Sequence, residues 1–559
     1  MEFKKISIKN FRNFDNIEID ISNKNIFFGL NDIGKTNFLY AMRYVFDKDV
    51  RKNGFLDSDF HRKNTAFPIE IIVSIDISEI NDQDNQKLRA QMKGAVLSDH
   101  SEVFIKLVAE YNVQELIAMP IMYWGSSLDH LQEIKQQGYR YAIDHVFNVI
   151  YIDSYVDLYS LFKKNIRFLM KRDNPDDNDI LEQIQSIVDQ LNENISNLSG
   201  VKEFEEKITP QYQKFRSEKV SISIKSEIAV KGLYSNIVPY IKQDTDDNLY
   251  PTAGEGRKKL LVYSIFDLLS EEYGERKVNI FFIEEPENHL HKSLQIALSQ
   301  ILFGDDRYRY LFVTTHSPFV LYEMNGVSLI RIFHGTTIDS ASYFYKVPLD
   351  FEKARKKLNR NLSEAIFANK VLLVEGPSEV LLFERVLSTI KPAYEVEGIY
   401  VLSVDGIGFE EYSKILHALR IKYIVKTDND LRRSQNKEDY VTYSFQRCNK
   451  IIGKKLLGIP SCASNDTETK RKLYDESRST LDDIRKNHGI FLSRVDLEND
   501  LDEILHDELC KYLGTKSPVA YLQKAKRFHM VNLVQAITDD DCKRIFDDYN
   551  FACLKEIIK

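Results

Sequence analysis

Acidic side chains in the last third of the chain follow apolar stretches, in an order that suits metal chemistry. Glu375 comes directly after residues 370–374, and Asp428 and Asp430 come just after residues 422–426. The carboxyl ends of parallel strands converge on one crevice of an open α/β sheet, so we expect the three acids to meet there. Crowded carboxylates repel one another unless a divalent cation neutralises them, and hard oxygen ligands suit Mg²⁺ or Mn²⁺. The sequence therefore predicts a metal centre.

More acids stand near this set. Glu379 begins the next predicted helix and is a further candidate ligand. Asp496, Glu498 and Asp500 alternate along the chain, which predicts that one face of a strand carries all three. A solvated acidic edge is the simpler interpretation. A second metal site is the more specific one, because two metal ions about 4 Å apart can activate water and stabilise the departing oxygen in phosphodiester cleavage.

Lys526 is a candidate to stabilise the negative charge that develops on a reacting phosphate. Its context, Tyr521-Leu-Gln-Lys-Ala-Lys526, indicates a mixed helix, where a lysine is more often a surface residue. From the residues alone, both interpretations of Lys526 stay open.

A glycine-rich loop near the N-terminus, Gly29-Leu-Asn-Asp-Ile-Gly-Lys-Thr36, has the P-loop pattern. Its glycines let backbone N–H groups point at phosphate oxygens, and the helix that follows adds its positive end. Lys35 supplies charge to the outer phosphates, and Thr36 offers a hydroxyl to Mg²⁺. We expect an ATP site with the candidate residues Asn31, Gly34, Lys35, Thr36 and Asn37.

The expected partners of a P-loop follow in order. The apolar strand 278–283 leads to Glu284 and Glu285, where Glu284 would hold the Mg²⁺ shell and Glu285 would orient the attacking water. A solvated acidic loop is the alternative. His316 follows the buried stretch 310–315 and is a candidate sensor of the terminal phosphate.

Small residues at Pro251-Thr-Ala-Gly254-Glu-Gly-Arg257 precede a predicted helix, Lys258–Leu269, and make Gly254 a candidate nucleotide contact. This loop and the opening Ile6–Phe14 resemble the ABC-type ATPases of the Rad50 and SMC group. The resemblance implies that such a loop contacts nucleotide held by the opposite subunit. The loop lacks the Leu-Ser-Gly-Gly form, and Glu284 stands where aspartate is commoner, so we expect nucleotide binding rather than rapid hydrolysis.

The sequence predicts an α/β fold with an ABC-type P-loop ATPase domain, a helical insertion and a second α/β domain. Strands at 68–76 and 102–110 indicate a mixed sheet beside the P-loop, and Ile180 to Leu198 have the spacing of an amphipathic helix. That helix packs on its own domain or forms a dimer contact. The expected divisions are a first ATPase segment (1–154), a helical insertion (155–217), a second ATPase segment (218–345) and a second domain (346–559), with an irregular charged insertion at about 431–485.

Composition limits the partners. The net charge of −8 means that DNA, if bound, must meet local basic surfaces or metal ions. Five cysteines without a CxxC pair indicate reduced thiols in the cytoplasm and no zinc site. No apolar run of about 18 residues appears, so no membrane span is expected.

The pairs Glu375-Gly376 and Asp405-Gly406, with Asp428-Asn-Asp430, closely resemble the Toprim domain. An ABC-type ATPase followed by Toprim resembles the OLD-family nucleases, and most closely the nuclease subunits of Gabija anti-phage systems. Stretches that carry this likeness are Phe11–Phe14, Asn31–Tyr40, Val374–Glu379, Lys426–Leu431, Asp496–Leu501, Tyr521–Lys524 and Phe551–Glu556.

The family implies an endonuclease that cleaves double-stranded DNA under nucleotide control. It also implies a homodimer or tetramer and a UvrD-like helicase partner, Gabija protein B. By motif, catalytic or metal-binding roles fall on Glu375, Asp428, Asp430, Asp496, Glu498 and Lys526. Three alternatives remain from the sequence: an ATP-driven DNA clamp of the Rad50/SMC type, a topoisomerase-like Toprim enzyme, and a primase.

Overall fold

The computed structural model describes residues 1–29, 33–92, 101–138, 140–155, 158, 161, 178–213, 223, 240–243, 246–251, 255–274, 276–335, 337–405, 408–434 and 439–559. The chain divides into two compact units. The first comprises Met1–Ile152, Arg276–Glu287 and His291–Lys559, and the second comprises Asp153–Glu275 and Asn288–Leu290.

Strands are numbered in chain order. They are β1 (Glu2–Phe11), β2 (Phe14–Asp20), β3 (Lys24–Phe28), β4 (Ile69–Asp76), β5 (Glu102–Ala109), β6 (Pro120–Gly125), β7 (Gln132–Glu133), β8 (Gln136–Gln137), β9 (Arg140–Tyr141), β10 (Phe147–Ile152), β11 (Tyr240–Gln243), β12 (Asp246–Pro251), β13 (Val278–Glu284), β14 (Leu311–Thr314), β15 (Val327–His334), β16 (Ile338–Tyr345), β17 (Lys370–Val374), β18 (Ile399–Ser403), β19 (Lys422–Thr427), β20 (Leu431–Arg433), β21 (Tyr440–Thr442), β22 (Ser461–Cys462) and β23 (Ile490–Leu492).

The α-helices are numbered in the same way. They are α1 (Lys35–Phe46), α2 (Lys48–Arg51), α3 (Gln83–Gln91), α4 (Asn178–Ser196), α5 (Ser199–Gln213), α6 (Glu255–Gly274), α7 (Lys292–Gly304), α8 (Arg355–Ala365), α9 (Pro377–Ile390), α10 (Phe409–Ala418), α11 (Tyr443–Ile452), α12 (Thr467–Glu476), α13 (Arg478–His488), α14 (Leu497–Leu513), α15 (Pro518–Lys524), α16 (Lys526–Ala536), α17 (Asp539–Asp547) and α18 (Ala552–Ile558).

The N-terminal sheet has the strand order β2-β1-β4-β5-β6-β7 in the portion of the chain that the structure describes. The strands expected at 68–76 and 102–110 are present as β4 and β5. The expectation of a mixed sheet here is wrong, because each pairing within the sheet is antiparallel. Alternating burial along β5 gives the physical reason: one face packs on the core and the other faces outward, as antiparallel sheets allow.

A second sheet carries the P-loop. Its described strands run in the order β10-β13-β14-β3-β15-β16, and the pairings are parallel except that of β15 with β16. Residues 311–314 and 280–283 are fully buried, as expected of parallel strands covered on both faces. The carboxyl ends of β3, β13 and β14 therefore lie at one edge of this sheet.

A third sheet forms the centre of the C-terminal region. Its strands are parallel and lie in the order β18-β17-β19-β23. Helices α9, α14, α16, α17 and α18 bury a shared apolar core, which includes Leu382, Phe383, Leu501, Leu505, Met530, Leu533, Ile545 and Leu554. Each such side chain contributes about 1.5–3 kcal/mol on burial, so the core fixes the sheet edge on which the acids stand.

Within 431–485, the described residues 431–434 and 439–485 form regular elements, so the expectation that this segment is irregular is wrong. They contain the small antiparallel sheet β20-β21-β22 and the helices α11, α12 and most of α13. Amphipathic spacing explains the difference, because the few apolar residues, such as Phe445, Leu473 and Leu481, are buried while the many charges face outward. The many charged residues hid the helical spacing of these few apolar residues in the sequence.

The expectation of a strand from Asp496 to Asp500 is also wrong, because helix α14 begins at Leu497. Asp496 is the N-cap, and its carboxylate accepts a hydrogen bond from the backbone N–H of Asn499 at 2.9 Å. Acids in the first turn suit the positive end of a helix. Alternation over five residues could not separate this helix start from a strand.

Asp500 belongs to the core rather than to the acidic edge. Its carboxylate lies 3.0 Å from the Lys426 ammonium, and both side chains are almost fully buried. Lys426 also donates to the Asn550 carbonyl at 2.8 Å, and Asp500 accepts from the backbone N–H of Arg494 at 3.2 Å. This pair ties strand β19 to helix α14.

The second unit contains the expected amphipathic helix, which is confirmed as α4. Several of its apolar side chains are exposed, with Ile180 at 54%, Ile187 at 63% and Leu191 at 45%. Helix α6 begins at Glu255, three residues before the expected start.

None of the helices in the described residues is long and apolar enough to cross a membrane. All five cysteines are free thiols.

We expect Asp500→Ala to lower the free energy of unfolding by about 3–5 kcal/mol, because it leaves the Lys426 ammonium buried without its partner. Asp502→Ala in the same helix is the matched control, since Asp502 pairs with the exposed His506 and should cost less than about 1 kcal/mol. Urea unfolding of both variants measures the difference. An equal fall in the free energy of unfolding in both variants would show that the buried Lys426–Asp500 pair is worth no more than an exposed ion pair.

Candidate metal and nucleotide sites

Two neighbouring strands bring the first acids together. Glu375 follows β17, and Asp428 follows β19, which pairs with it. One Glu375 oxygen, Oε1, accepts hydrogen bonds from the Thr427 hydroxyl at 2.6 Å and from the backbone N–H of Asp428 at 3.1 Å. These bonds fix the Glu375 carboxylate at the carboxyl edge of the sheet.

Other carboxylates stand close enough to change one another's ionisation. Burial raises the pKa of Asp428 well above its usual value, and the charges of Glu379, Glu375 and Asp496 add to the effect. Burial likewise raises the pKa of Glu379 to about 7, with further contributions from Glu375 and Glu498. Such mutual repulsion shows that the sheet edge concentrates negative charge.

Helix α14 supplies a second side to this cluster. Glu498 is 1% exposed, and its Oε2 atom has no hydrogen-bond partner among the residues that the structure describes. Burial raises the pKa of Glu498, although Lys526 opposes the shift. The Lys526 ammonium lies 3.7 Å from Glu498 Oε1. Burial lowers the pKa of Lys526, but the charges of Glu498 and Asp428 outweigh it and the pKa is raised.

Arg447 is a member of the cluster that sequence reasoning missed. Its guanidinium contacts Glu375 and Thr427 through Nη1, and it donates to Asp430 through Nη2 at 3.0 Å. Burial lowers the pKa of Arg447, yet Glu375 and Asp430 outweigh it and the pKa is raised. Arg447 lies on α11, inside the segment expected to be irregular, and no local sequence signal marks it.

Asn429, between the two aspartates, links the segments that carry the acids. It is fully buried. Its amide donates to the carbonyls of Lys470 at 3.0 Å and Arg494 at 3.2 Å, and its side-chain oxygen accepts from the Ser444 hydroxyl at 2.9 Å. The loop after β19 is thereby held to α11, α12 and the start of α14.

These residues fit a divalent metal by their chemistry. Six carboxylates (Glu375, Glu379, Asp428, Asp430, Asp496 and Glu498) against the two cations Arg447 and Lys526 leave four formal negative charges, which two divalent ions would balance. The buried, unpartnered Glu498 Oε2 is an oxygen that such an ion would satisfy. Within the described ranges, no three His, Cys, Asp or Glu side chains already converge as a metal-binding group.

The described part of the P-loop, Gly29 and residues 33–36, leads into α1. Gly34 adopts a φ of 110° as the N-cap of α1, and a Cβ at this position would overlap the Asn13 amide. Lys35 is 6% exposed, and its ammonium donates to the Gly29 carbonyl at 3.1 Å. Thr36 is exposed at the start of the helix. Asn31 lies outside the described residues.

The β1–β2 turn braces this loop. Asn13 donates to the Ile33 carbonyl at 2.6 Å and accepts from the Asn37 amide at 2.9 Å, and Arg12 donates to Asn37 at 2.9 Å. Asn37, a candidate nucleotide contact, therefore holds the loop against the N-terminal sheet. This gives a structural reason for the Phe11–Phe14 motif.

The carboxylates after β13 meet the histidine after β14. Glu284 ends β13 and is 5% exposed, and Glu285 adopts a φ of 42°, which is rare for a residue other than glycine. The His316 ring lies 3.4 Å from Glu285. Burial lowers the pKa of His316, and the positive charge of Lys35 lowers it further.

Glu287 is a second residue that sequence reasoning missed. Its Oε1 accepts hydrogen bonds from the Thr315 hydroxyl at 2.9 Å and from the backbone N–H groups of His316 at 2.6 Å and Ser317 at 3.1 Å. Glu287 thus holds the loop that carries His316. The third carboxylate of Glu-Glu-Pro-Glu was the available signal.

One motif residue stands apart from these sites. Asp405 pairs with Lys357 at 3.0 Å instead of joining the acids. Gly254 lies outside the described residues, just before α6.

Comparison with known proteins agrees with this arrangement. Residues 1–321 match the family model of the AAA ATPase domain, and residues 366–430 match the TOPRIM domain of overcoming lysogenization defect protein-like proteins. The chain is 43% identical to the endonuclease GajA of Bacillus cereus (strain VD045) over 573 residues, covering 100% of this chain and 99% of that protein. It is 27% identical to the OLD nuclease of Thermus scotoductus (strain ATCC 700910 / SA-01) over 223 residues, covering 38% of this chain and 42% of that protein.

Among solved structures, the SMC head domain from Thermotoga maritima matches with a TM-score of 0.31 and 12% identity, covering 62% of this chain and 100% of that one. The family matches confirm the expected fold class, an ATPase domain followed by a Toprim domain in an α/β chain.

We expect Arg447→Ala to lower the melting temperature in EDTA, because Glu375 and Asp430 lose the cation that they share. Added Mn²⁺ should then raise the melting temperature more than in the wild type, since the ion replaces the lost positive charge, and Mn²⁺ should bind about tenfold or more tightly. Calorimetric titration with Mn²⁺ measures the affinity.

Arg432→Ala is the control for Arg447→Ala. The Arg432 guanidinium lies 3.4 Å from the centre of the Tyr443 ring. Tyr443 stands on the helix that carries Arg447, so the control also removes an arginine that contacts this helix. This variant should leave Mn²⁺ affinity unchanged. Weaker Mn²⁺ binding by Arg447→Ala would contradict the account, since it would mean that Arg447 orients the ligands for the metal.

Proposed function

Because this chain belongs to the endonuclease GajA family, we propose that it is a metal-dependent endonuclease that cleaves double-stranded DNA under the control of nucleotide binding. The observation that carries the proposal is the cluster of six carboxylates and Lys526 at the edge of the Toprim sheet. Metal-dependent hydrolysis of phosphodiesters needs such a set of oxygen ligands with a nearby cation.

The roles follow from position. Glu375, Glu379, Asp428 and Asp430 would hold one ion, and Asp496 and Glu498 would hold the second. When bound, Mg²⁺ or Mn²⁺ supplies Lewis-acid stabilisation and an activated water. Hydrolysis adds the water oxygen to phosphorus and breaks one P–O ester bond.

Lys526 is placed to stabilise the charge of the reacting phosphate. Its side chain is 56% exposed, so DNA can reach it, and its raised pKa keeps it protonated at neutral pH. The ammonium would neutralise the negative charge that builds on the phosphate oxygens. The alternative, a surface lysine without a role, is less consistent with its contact to the buried Glu498.

The ATPase half would act as a sensor. Gly34, Lys35 and Thr36 would bind the phosphates of ATP with Mg²⁺, while Glu284 and Glu285 would hold the metal shell and the water. His316, held by Glu287, would respond to the terminal phosphate. Asn31 and Gly254 remain candidate contacts by motif.

We extend the proposal to organisation and partners. The domain boundaries are 1–154 and 218–345 for the ATPase, 155–217 for the helical insertion and 346–559 for Toprim. The exposed apolar side chains of α4 support a homodimer or tetramer. By family membership, the protein would act in the cytoplasm in anti-phage defence with a UvrD-like helicase, Gabija protein B.

We expect wild-type protein to cut supercoiled plasmid in Mg²⁺, and Glu375→Ala to lose cutting by at least about 100-fold while still binding DNA. Glu410→Ala is the matched control, since this exposed Toprim carboxylate lies 3.9 Å from Lys450, and it should cut normally. Gel assays of cleavage and binding measure both. Cutting that survives Glu375→Ala would place the catalytic centre elsewhere, and a covalent protein–DNA adduct would favour a topoisomerase.

We expect Lys35→Ala to abolish ATP binding, because the P-loop loses its phosphate-facing charge, while cutting remains but no longer responds to ATP. Lys48→Ala, just after α1, is the control and should keep ATP affinity. Titration with a fluorescent ATP analogue measures binding. An unchanged affinity in Lys35→Ala would rule out the P-loop assignment.

A further inference from the structure

We propose that the junction of α15 and α16 contacts double-stranded DNA next to the metal centre, through a junction surface made of Lys524, Arg527, Phe528 and Val531. The proposal rests on the proposed function. It adds the residues that hold the duplex, including an aromatic side chain that meets the bases.

The junction borders the acidic cluster on both sides of the break between the helices. Gln523, on the α15 side, donates to Asp496 Oδ2 at 2.9 Å. Lys526, on the α16 side, lies 3.7 Å from Glu498. A phosphate bound at the cluster would therefore lie near this junction, and the neighbouring phosphates of the same strand would meet the flanking side chains.

Ring stacking, burial and a hydrogen bond brace the junction. The His529 ring stacks on the Tyr521 ring with the centroids 3.8 Å apart, and Leu522 and Met530 are fully buried. His529 Nδ1 also hydrogen-bonds the Tyr521 carbonyl at 2.5 Å. A rigid surface binds with little loss of conformational entropy, which favours a contact role.

The charge of this segment is opposite to that of the chain. Residues 509–538 contain the five basic side chains Lys511, Lys516, Lys524, Lys526 and Arg527 and no aspartate or glutamate, whereas the whole chain has a net charge of −8. Duplex DNA carries one negative charge for about every 1.7 Å of its axis. This charge density is far higher than that of a protein with a net charge of −8, so DNA is the occupant favoured over a second copy of this chain.

The exposed apolar side chains give the surface a second property. Phe528 is 67% exposed and Val531 is 37% exposed, and they lie three residues apart on one face of α16. Proteins that bend or open DNA place apolar side chains against the base steps between basic contacts. Phe528 would meet the bases while Lys524 and Arg527 bind phosphates, which would open the duplex beside the cut.

The test uses full-length protein that carries Glu375→Ala, so that a fluorescent 30-base-pair duplex stays intact in Mg²⁺. Fluorescence anisotropy at several salt concentrations measures the affinity of this protein for the duplex. Adding Phe528→Ala should weaken binding about 5- to 150-fold with an unchanged salt slope. Adding Arg527→Ala should weaken binding and reduce the salt slope by about one. Phe344→Ala, which removes another exposed aromatic side chain (55%), should change neither.

Phe528→Trp provides a second variant that keeps an aromatic surface, and it should bind as tightly as the parent. An unchanged affinity for the duplex in both Phe528→Ala and Arg527→Ala would overturn the proposal. It would indicate that the junction surface binds a protein partner instead. Equal losses in Phe528→Ala and Phe528→Trp would also overturn it, because they would indicate a packing role. If wild-type protein fails to cut plasmid, the proposed function fails while the binding series still tests the surface.

Discussion

Mutual repulsion among carboxylates is the constraint on which the C-terminal half depends. Glu375 and Asp428 are held at the carboxyl ends of adjacent parallel strands, and Glu498 approaches them from the first turn of α14. Bringing like charges into a partly buried edge raises the pKa of Asp428 and Glu498, with burial as the largest cause. The guanidinium of Arg447 offsets part of this electrostatic cost by pairing with Glu375 and Asp430, and the buried core holds each strand end in place. The proposed divalent ions would relieve this repulsion by neutralising the carboxylates.

The ATPase and Toprim sheets are joined through helix α8 within one compact unit. Asn359 is buried, and its amide donates to the carbonyls of Tyr322 and Met324 at 2.9 Å each, just beyond the loop that carries His316. On the same helix, Asn361 donates to the Ser403 carbonyl at 3.3 Å, at the end of β18. Hydrogen bonds from one helix therefore reach both halves, and the proposed nucleotide control would need such a shared element to change between two arrangements.

Long apolar strands, the P-loop and the acids after strand ends were predictable because local residue type determines them. Glu375, Asp428 and Asp430 needed only the rule that parallel strands end at one edge. Arg447 could not be predicted, since a charged helix in the segment 431–485 carries no local sign of the tertiary contact that brings it to Glu375. The prediction of a strand at Asp496 was wrong because alternation of acidic residues over five positions also fits the start of a helix with an N-cap.

The central claim is that the acidic cluster binds divalent metal, and diffraction tests it most directly. Crystals grown with Mn²⁺ and measured at the manganese absorption edge would show where the ion lies. The account predicts anomalous peaks bounded by Glu375, Asp428 and Glu498, with Arg447 turned away from Glu375. A cluster without a manganese peak at millimolar Mn²⁺, with Arg447 still bound to Glu375 and Asp430, would contradict it.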